Sequence, residues 1–138
     1  MKYMLMVLGN QADYDAMAGK GSPGNPAWSE ADVKAMFDHM NALNDDLAES
    51  GEWVDGQGLA EPRGARLVTA GADGSPIVSH GPYGETKEVL AGYWIVDVTD
   101  FARAAEIAAR AYACPVPEGA PNYPVVVHPV GEGVGTEM

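Results

Sequence analysis

The order of apolar and amphipathic segments predicts an α+β fold. Along the 138 residues, continuous apolar runs alternate with two amphipathic stretches, and a glycine-rich turn separates two short apolar segments near the middle. In chain order, these segments predict strand, helix, strand, hairpin, strand, helix, strand. This is the split βαβ pattern, βαββαβ, with a β-hairpin inserted between its two middle strands. A chain of this length that is 46% apolar suits one domain with its own core.

The first strand and the first helix carry the clearest local signals. The run from Tyr3 to Leu8 is continuously apolar, which is typical of a strand covered on both faces. Ser29 is a good N-cap for the first helix, and Gly51 suits the position just past its end. The apolar stripe of that helix consists of Val33, Met36, Met40, Leu43 and Leu47. Between strand and helix, Gly9 to Trp28 shows no periodicity and is expected to be a lid, a binding loop or a disordered segment.

The middle of the chain predicts a strand followed by a hairpin. Trp53 to Leu59 is the strand, and its two glycines suggest a bulge or a close backbone approach. The segments Arg66 to Ala70 and Pro76 to Ser79 flank a turn of sequence Gly-Ala-Asp-Gly, which is a hairpin signature.

The last third predicts a strand, a helix and a final strand. Thr86 to Val98 is the long strand, and a helix with a stripe of small alanine side chains begins near Asp100. Asn122 to Val130 is the last strand, so the domain is expected to span residues 1–130, with 131–138 as a frayed tail.

One face of the predicted sheet lacks a cover. Two helices on one face of an antiparallel sheet leave the other face open, yet Tyr3 to Leu8 and Tyr93 to Val98 are apolar on both sides. A second copy of the chain is the simplest cover, because symmetric homodimers are the commonest oligomers. We therefore predict a homodimer in which the two sheets face each other.

The charge balance narrows the classes of partner. With 20 acidic and 8 basic residues, the net charge is −12, which argues against nucleic acid and against an anionic membrane surface. An acidic protein can still bind a basic protein, so such a partner stays open. No segment has the 18 or more apolar residues of a membrane span. The single cysteine, Cys114, cannot form an internal disulfide, which favours the cytoplasm.

Metal and cofactor motifs are absent from the sequence. The three histidines are isolated, there is no cysteine pair, and no carboxylate-rich loop occurs. Gly19-Lys20-Gly21 lacks the context of a phosphate-binding loop. We therefore predict neither a metal site nor a cofactor. Cys114 precedes a proline at the expected end of a helix, where a buried structural thiol is a better interpretation than a nucleophile.

The densest group of chemically active side chains follows the hairpin. From His80 to Glu88, an imidazole, a phenol, carboxylates and an ammonium surround a Gly-Pro turn. His80 could act as a general base or acid, or it could be an exposed turn residue. Glu85 and Lys87 would share a face if the strand has begun, where they could pair or orient a substrate carboxylate. Asp55 could orient His80.

This tract, together with the opening Lys2 to Met6, Gly51 to Leu59 and Gly92-Tyr93, resembles the YCII-related, or DGPF-domain, family. In the family's signature of Asp-Gly-Pro-Phe and then Glu-Thr-Lys-Glu, His80 here replaces the Asp and Tyr83 replaces the Phe. The resemblance implies a ferredoxin-like fold that dimerises into an α+β barrel. The wider superfamily includes cofactor-free isomerases, dehalogenating lyases and monooxygenases of small aromatic or lactone substrates, and some relatives resemble companions of alternative sigma factors.

We therefore expect binding of a small organic molecule in a cleft walled by the sheet, the first helix and the Gly9 to Trp28 segment. A cofactor-free elimination or isomerisation there would use His80 as base, with Glu85 or Asp55 orienting it. The expected ligand contacts are Lys87, Tyr83 and Tyr93. The enzyme hypothesis requires His80 to reach a carboxylate and to face an enclosed pocket. The alternative is a non-enzymatic regulatory or interaction module that meets a basic protein such as a sigma factor.

Overall fold

A four-stranded antiparallel sheet organises the protein, and the computed structural model describes residues 1–81, 83–85 and 87–131. In chain order the elements are β1 (Lys2–Gly9), α1 (Gln11–Met17), α2 (Glu30–Ser50), β2 (Trp53–Gly58), a 3-10 turn (Pro62–Gly64), β3 (Leu67–Ala70), β4 (Pro76–Ser79), β5 (Val89–Asp97), α3 (Phe101–Tyr112) and β6 (Val126–Pro129). The large sheet has the strand order β2-β5-β1-β6, and β3 pairs with β4 in a separate hairpin. The α+β class is therefore confirmed.

Two strands, β5 and β6, are several residues shorter than the sequence predicts, and β2 and β3 are each shorter by one residue. The long strand begins at Val89, and Thr86, its predicted start, lies outside the described residues, as do Pro82 of the turn and the tail 132–138. The last strand covers Val126–Pro129 and not Asn122 to Val130. Two prolines, at positions 121 and 124, precede it and lack the backbone N–H that a sheet ladder needs, so regular pairing starts only after them.

The segment from Gly9 to Trp28 contains a helix, so the prediction of a segment without regular structure was wrong. Asn10 caps α1: its side chain accepts the Asp13 N–H at 3.0 Å, and the Asp13 carboxylate accepts the Asn10 N–H at 2.8 Å. This reciprocal pair is a capping box, which satisfies two backbone donors that a helix start would otherwise leave unpaired. The helix has seven residues, too few for an apolar stripe to reveal it in the sequence.

The core lies between the sheet and the two longer helices. Leu5 and Val96 are fully buried on adjacent strands, and Leu43 and Leu47 of α2 pack over them. The helix α3 adds the small buried residue Ala104 and its neighbours on the same stripe, which let this helix approach the sheet closely. Burial of this kind is worth about 1.5–3 kcal/mol for each large aliphatic side chain.

The opposite face of the sheet also carries apolar side chains. Because side chains alternate along a strand, Met4 and Met6 of β1 and Ile95 of β5 lie on the face away from Leu5 and Val96. These three side chains stay partly exposed in the single chain. The sheet thus has one well-covered face and one apolar face that is only half covered.

The predicted hairpin is present as β3 and β4, and in its register Val68 lies opposite Val78. Its turn contains Gly74 at φ 85°, a left-handed conformation that glycine adopts without strain. Its large apolar side chains are between 46% and 63% exposed, and they are Leu67, Val68, Ile77 and Val78. The hairpin therefore presents apolar surface on both of its faces.

Candidate functional site

A cavity of about 540 Å³ lies beside the helix-covered face of the sheet. Its floor comes from the ends of β1, β2 and β5, and its sides come from α1 and α2. Residues between Tyr112 and Val125, which follow α3, close the remaining wall. The volume falls within the range of about 300–1,000 Å³ that is usual for small-molecule sites. The sheet, the first long helix and the 9–28 segment are the walls that the sequence predicts for a cleft.

Aromatic side chains dominate the walls of this cavity, and all three tryptophans of the chain are among them. The aromatic wall residues besides Tyr93 are Tyr14, Trp28, Phe37, Trp53, Trp94, Tyr112 and Tyr123. Aromatic rings attract one another in offset-stacked or edge-to-face geometry, which favours a planar apolar ligand between them. The rim is apolar as well, since Phe37, Trp53 and Tyr112 are each exposed to solvent.

Two glycines shape the β2 wall. The Trp53 ring lies over Gly56, where an added Cβ would be 2.5 Å from Trp53 Cη2, so no side chain fits at this position. The pairing of β2 with β5 shifts register between Trp53 and Asp55, so the irregularity of this strand lies before the two glycines at which the sequence predicts it. At Gly58, by contrast, a Cβ would meet no atom within 4 Å.

One end of the cavity is polar and centres on Asp13. Its Oδ1 accepts a hydrogen bond from Asn25 Nδ2 at 2.7 Å and from the Tyr123 hydroxyl at 3.3 Å. Its Oδ2 accepts the Asn10 N–H of the capping box at 2.8 Å. Burial and the hydrogen bond to Asp13 raise the pKa of Tyr123 to about 12, so its hydroxyl stays protonated and donating at neutral pH.

A second polar group lies on the α2 wall. The Trp94 indole N–H donates to Asn44 Oδ1 at 2.7 Å. An indole nitrogen can only donate, so the Asn44 atom in contact must be the oxygen, and the two amide N–H donors remain at the cavity wall. A ligand acceptor such as a carbonyl oxygen could receive one of them.

Tyr14 fixes α1 against the sheet. Its hydroxyl lies 2.8 Å from the Leu59 carbonyl oxygen and 3.2 Å from that of Ala91, and its single proton is shared between them. Burial raises the pKa of Tyr14, which keeps this donor protonated. The 9–28 segment is thus held over the cavity by a hydrogen bond to two strand ends.

The His80 turn lies outside the cavity wall. His80 is exposed just after β4, and the described histidines that form hydrogen bonds are His39 and His128. Within the described residues of one chain, His80 therefore meets neither condition of the enzyme hypothesis. Glu85, Lys87 and Tyr83 are exposed as well and do not line the cavity.

Asp55 pairs with Tyr93 and not with His80. The Tyr93 hydroxyl donates to Asp55 Oδ2 at 2.9 Å, and this hydrogen bond raises the pKa of Tyr93. Strand alternation places both side chains on the half-covered face of the sheet, away from Trp94. Tyr93 also borders the cavity. A hydrogen bond thus joins Asp55, a predicted catalytic residue, to Tyr93, a predicted ligand contact. The catalytic role of Asp55 and the binding role of Tyr93 stay predictions.

Sequence reasoning missed the polar groups of the cavity. Asp13 has a local signal, the Asn-x-x-Asp spacing of a capping box, but that signal indicates a helix start and not a ligand contact. Asn44 and Tyr123 carry no local signal, because only the folded chain brings them to Trp94 and Asp13.

Comparison with known proteins places the chain in a family. No described helix has the length and apolarity needed to cross a bilayer. No curated protein matches the chain. The sequence profile of the YCII-related domain matches residues 1–126, from the first strand into β6. This match covers both the cavity walls and the tract that follows the hairpin, and it confirms the predicted resemblance. The chain therefore belongs to the YCII-related domain family.

Proposed function

We propose that this YCII-related protein binds a small aromatic molecule in the cavity between α1, α2 and the sheet. The observation that carries the proposal is the aromatic wall of a cavity of about 540 Å³, in which every tryptophan of the chain takes part. Transfer of apolar ligand surface out of water stabilises such a complex by about 25 cal/mol per Å². For a ligand of roughly ten non-hydrogen atoms, we expect a dissociation constant on the order of micromolar to millimolar.

The polar groups of the wall orient the ligand. The Asn44 amide offers donors from α2, and the Asp13 carboxylate offers acceptors at the opposite helix, α1. A few placed polar groups in a mostly apolar pocket are the usual source of specificity at small-molecule sites. The ligand therefore has an apolar planar body with polar substituents.

The test fills the cavity by substituting Gly58→Phe. Gly58 lines the cavity, and a Cβ there meets no atom within 4 Å, so the new ring enters open space without displacing the backbone. Phenylalanine also suits a strand position. We expect the affinity for 2-naphthylmethanol, measured by isothermal titration calorimetry, to fall at least about tenfold, which corresponds to about 1.4 kcal/mol.

Cys114 supplies a second readout of the same test. It is the chain's single cysteine, it borders the cavity, and burial raises the pKa of its thiol. We expect 2-naphthylmethanol to slow Cys114 alkylation by iodoacetamide in the wild type but not in Gly58→Phe. The matched control is Gly64→Phe, at another open glycine, which does not line the cavity. If both variants bind the probe like the wild type, the cavity is not the site.

The assembly in this proposal is a homodimer. The strand order β2-β5-β1-β6, with antiparallel neighbours and a separate hairpin, supports a ferredoxin-like arrangement in each copy. The half-covered sheet face around Met4, Met6 and Ile95 supports a second copy as its cover, and two such sheets face to face form an α+β barrel. In that barrel the pair of Tyr93 and Asp55 lies between the two sheets.

The reaction is a narrower prediction. This reaction is a cofactor-free elimination or isomerisation with His80 as base, oriented by Glu85 or Asp55. Ligand binding does not depend on it, because none of these three residues lines the cavity. Lys87 and Tyr83 likewise stay predicted ligand contacts.

The aromatic cavity favours a small-molecule ligand over the alternative of a regulatory companion to a basic protein. The cytoplasmic location stays a prediction from the single cysteine.

A further inference from the structure

We infer that the ligand of the cavity is neutral or positively charged and that it donates an amino or hydroxyl hydrogen to Asp13. This inference rests on the proposed function and specifies the chemical class of its ligand. A ligand of this class differs from the carboxylic acids that a contact with Lys87 would favour. Lys87 does not line the cavity.

The charges of the cavity wall support this ligand class. Of the described residues that line the cavity, Asp13 is the one with a formal charge at pH 7, and Lys, Arg and His are absent from that set. An anionic ligand would lose its hydration here without gaining a cationic partner, which is strongly unfavourable. A neutral ligand does not incur that desolvation penalty, and a cationic ligand can offset it by pairing with the Asp13 carboxylate.

The hydrogen bonds of Asp13 leave room for one more donor. Among the residues that the structure describes, its two oxygens receive three donors, from Asn25 Nδ2, the Tyr123 hydroxyl and the Asn10 N–H. An ionised carboxylate has about four lone-pair positions, so one position remains for a ligand N–H or O–H. By this count the open position is on Oδ2, and a Cβ added to Gly9, which also lines the cavity, would be 3.5 Å from that oxygen. We therefore expect a bound ligand to reach it.

The surroundings of Asp13 favour a cation. Tyr14 and Tyr123 border the same part of the cavity, and the π-faces of aromatic rings attract ammonium groups. Glu88 adds negative potential near Tyr123, and it contributes to the raised pKa of that phenol. Arg63 approaches α1, with its guanidinium 3.9 Å from Asp15, but it does not line the cavity.

Asp13 also has a structural role, and the two roles make different predictions. Its capping box starts α1, and its contact with Tyr123 holds the segment after α3 against α1. A residue that acts only in this way would change the stability of the protein when substituted. It would not change the order in which ligands of different charge bind.

The experiment compares three probes with one aromatic skeleton: 2-naphthylmethylamine, 2-naphthylmethanol and 2-naphthoate. Titration calorimetry at pH 7 in 0.5 M NaCl screens the net charge of −12, because the screening length there is well below about 10 Å. We expect the wild type to bind the amine at least about tenfold more tightly than 2-naphthoate, with the alcohol between them. Asp13→Asn should reduce the amine-to-naphthoate ratio to within about threefold.

Asp15→Asn is the matched control. Asp15 is on the same helix and accepts a hydrogen bond from Gln11 Nε2, but it does not line the cavity. We expect this variant to keep the wild-type preference for the amine. An equal loss of preference in both variants would show that general charge on α1, and not Asp13, sets the selectivity, and would overturn the inference.

Each of the remaining outcomes either supports or overturns the inference. If none of the three probes binds the wild type, the proposed function fails, and this inference fails with it. If all three bind with equal affinity, the cavity is a ligand site but the inference is overturned. If circular dichroism shows that Asp13→Asn does not fold, the test uses the wild type alone, and the measured quantity is how far each probe protects Cys114 from alkylation by iodoacetamide. Protection by the amine and not by 2-naphthoate supports the inference, and equal protection overturns it.

Discussion

The rim of the cavity and the β3–β4 hairpin both expose large apolar side chains, but they differ in shape and support. The rim residues, such as Phe37 and Trp53, surround a concave space, and their elements pack on the core. The hairpin residues, such as Val68 and Ile77, lie on a two-stranded ribbon that pairs with no other strand of the part of the chain that the structure describes. A concave apolar surface fits a small molecule, whereas an exposed apolar ribbon fits another protein surface.

The difference shows that exposure alone does not identify the partner. A two-stranded hairpin is at best marginally stable by itself in water, so the exposed ribbon gains most from a second protein surface. The cavity walls are already fixed by Tyr14, by the Trp94–Asn44 contact and by Asp13 before any ligand arrives. We therefore expect changes in the hairpin to alter assembly and changes in the cavity to alter binding.

The largest expected effect is loss of the dimer on making the hairpin polar, because we expect its exposed apolar side chains to extend the interface that the half-covered sheet face forms with a second copy. The double substitution of Val68→Asp and Val78→Lys places opposite charges at directly paired positions, which preserves cross-strand pairing while removing the apolar surface. We expect sedimentation equilibrium at micromolar concentration to give the mass of two copies for the wild type and of one copy for the variant. The control, Val68→Ile with Val78→Ile, should remain a dimer. A wild type that sediments as one copy would contradict the homodimer.

A moderate effect is expected from the ion pair that joins α3 to the connection between α2 and β2. Arg103 of α3 binds Glu52 through two hydrogen bonds of 2.8 Å, and this pairing lowers the pKa of Glu52 to about 2 from its ordinary value of 4.5. A lowered carboxyl pKa stabilises the folded state above the ordinary pKa, and the contribution is lost as pH falls through about 2. Glu52→Gln should therefore lower the Tm by on the order of 5 °C at pH 7.

The pH dependence separates charge from packing at this site. We expect the Tm difference between the wild type and Glu52→Gln to narrow as the pH falls from 4.5 towards 2, in thermal scans by circular dichroism. Arg103→Lys, which keeps the charge but loses the two-point geometry, should give an intermediate Tm. A Tm difference that stays constant across this range would mean that Glu52 acts through packing.

The smallest effect is expected at His80. Because His80 is exposed and does not line the cavity, His80→Ala should change the affinity for 2-naphthylmethylamine by less than about twofold. Calorimetry on the wild type and the variant measures this directly. A loss of tenfold or more would bring His80 into the site through the second copy, and would restore the catalytic hypothesis for this histidine.

Local sequence signals predicted the helices and strands, because they depend on neighbouring residues. Ser29 caps α2 as expected, and Gly51 ends it in the left-handed conformation at φ 78°. The signal for α1 was present in Asn10 and Asp13, but seven residues form too short a helix for its apolar pattern to stand out. The walls of a cleft could be predicted from the order of the elements, but its polar contacts could not, since they join residues far apart in the chain.

The tract from His80 to Glu88 shows why nearness in sequence is a weak guide to a site. Its titratable groups are adjacent along the chain, yet His80, Glu85 and Lys87 are each exposed and do not line the cavity. Asp55 does find a partner, but this partner is Tyr93, on the face of the sheet away from the core. Strand pairing and side-chain direction decided these positions, and neither can be read from residue spacing alone.

The hydrogen bond between Tyr123 and Asp13 joins residues 110 positions apart. During synthesis the amino-terminal helix α1 leaves the ribosome long before the segment that closes its side of the cavity. A growing chain can therefore form most of its helices while still lacking a complete binding site. Binding of the proposed ligand would therefore need the segment after α3 in place, and it could not guide the beginning of folding.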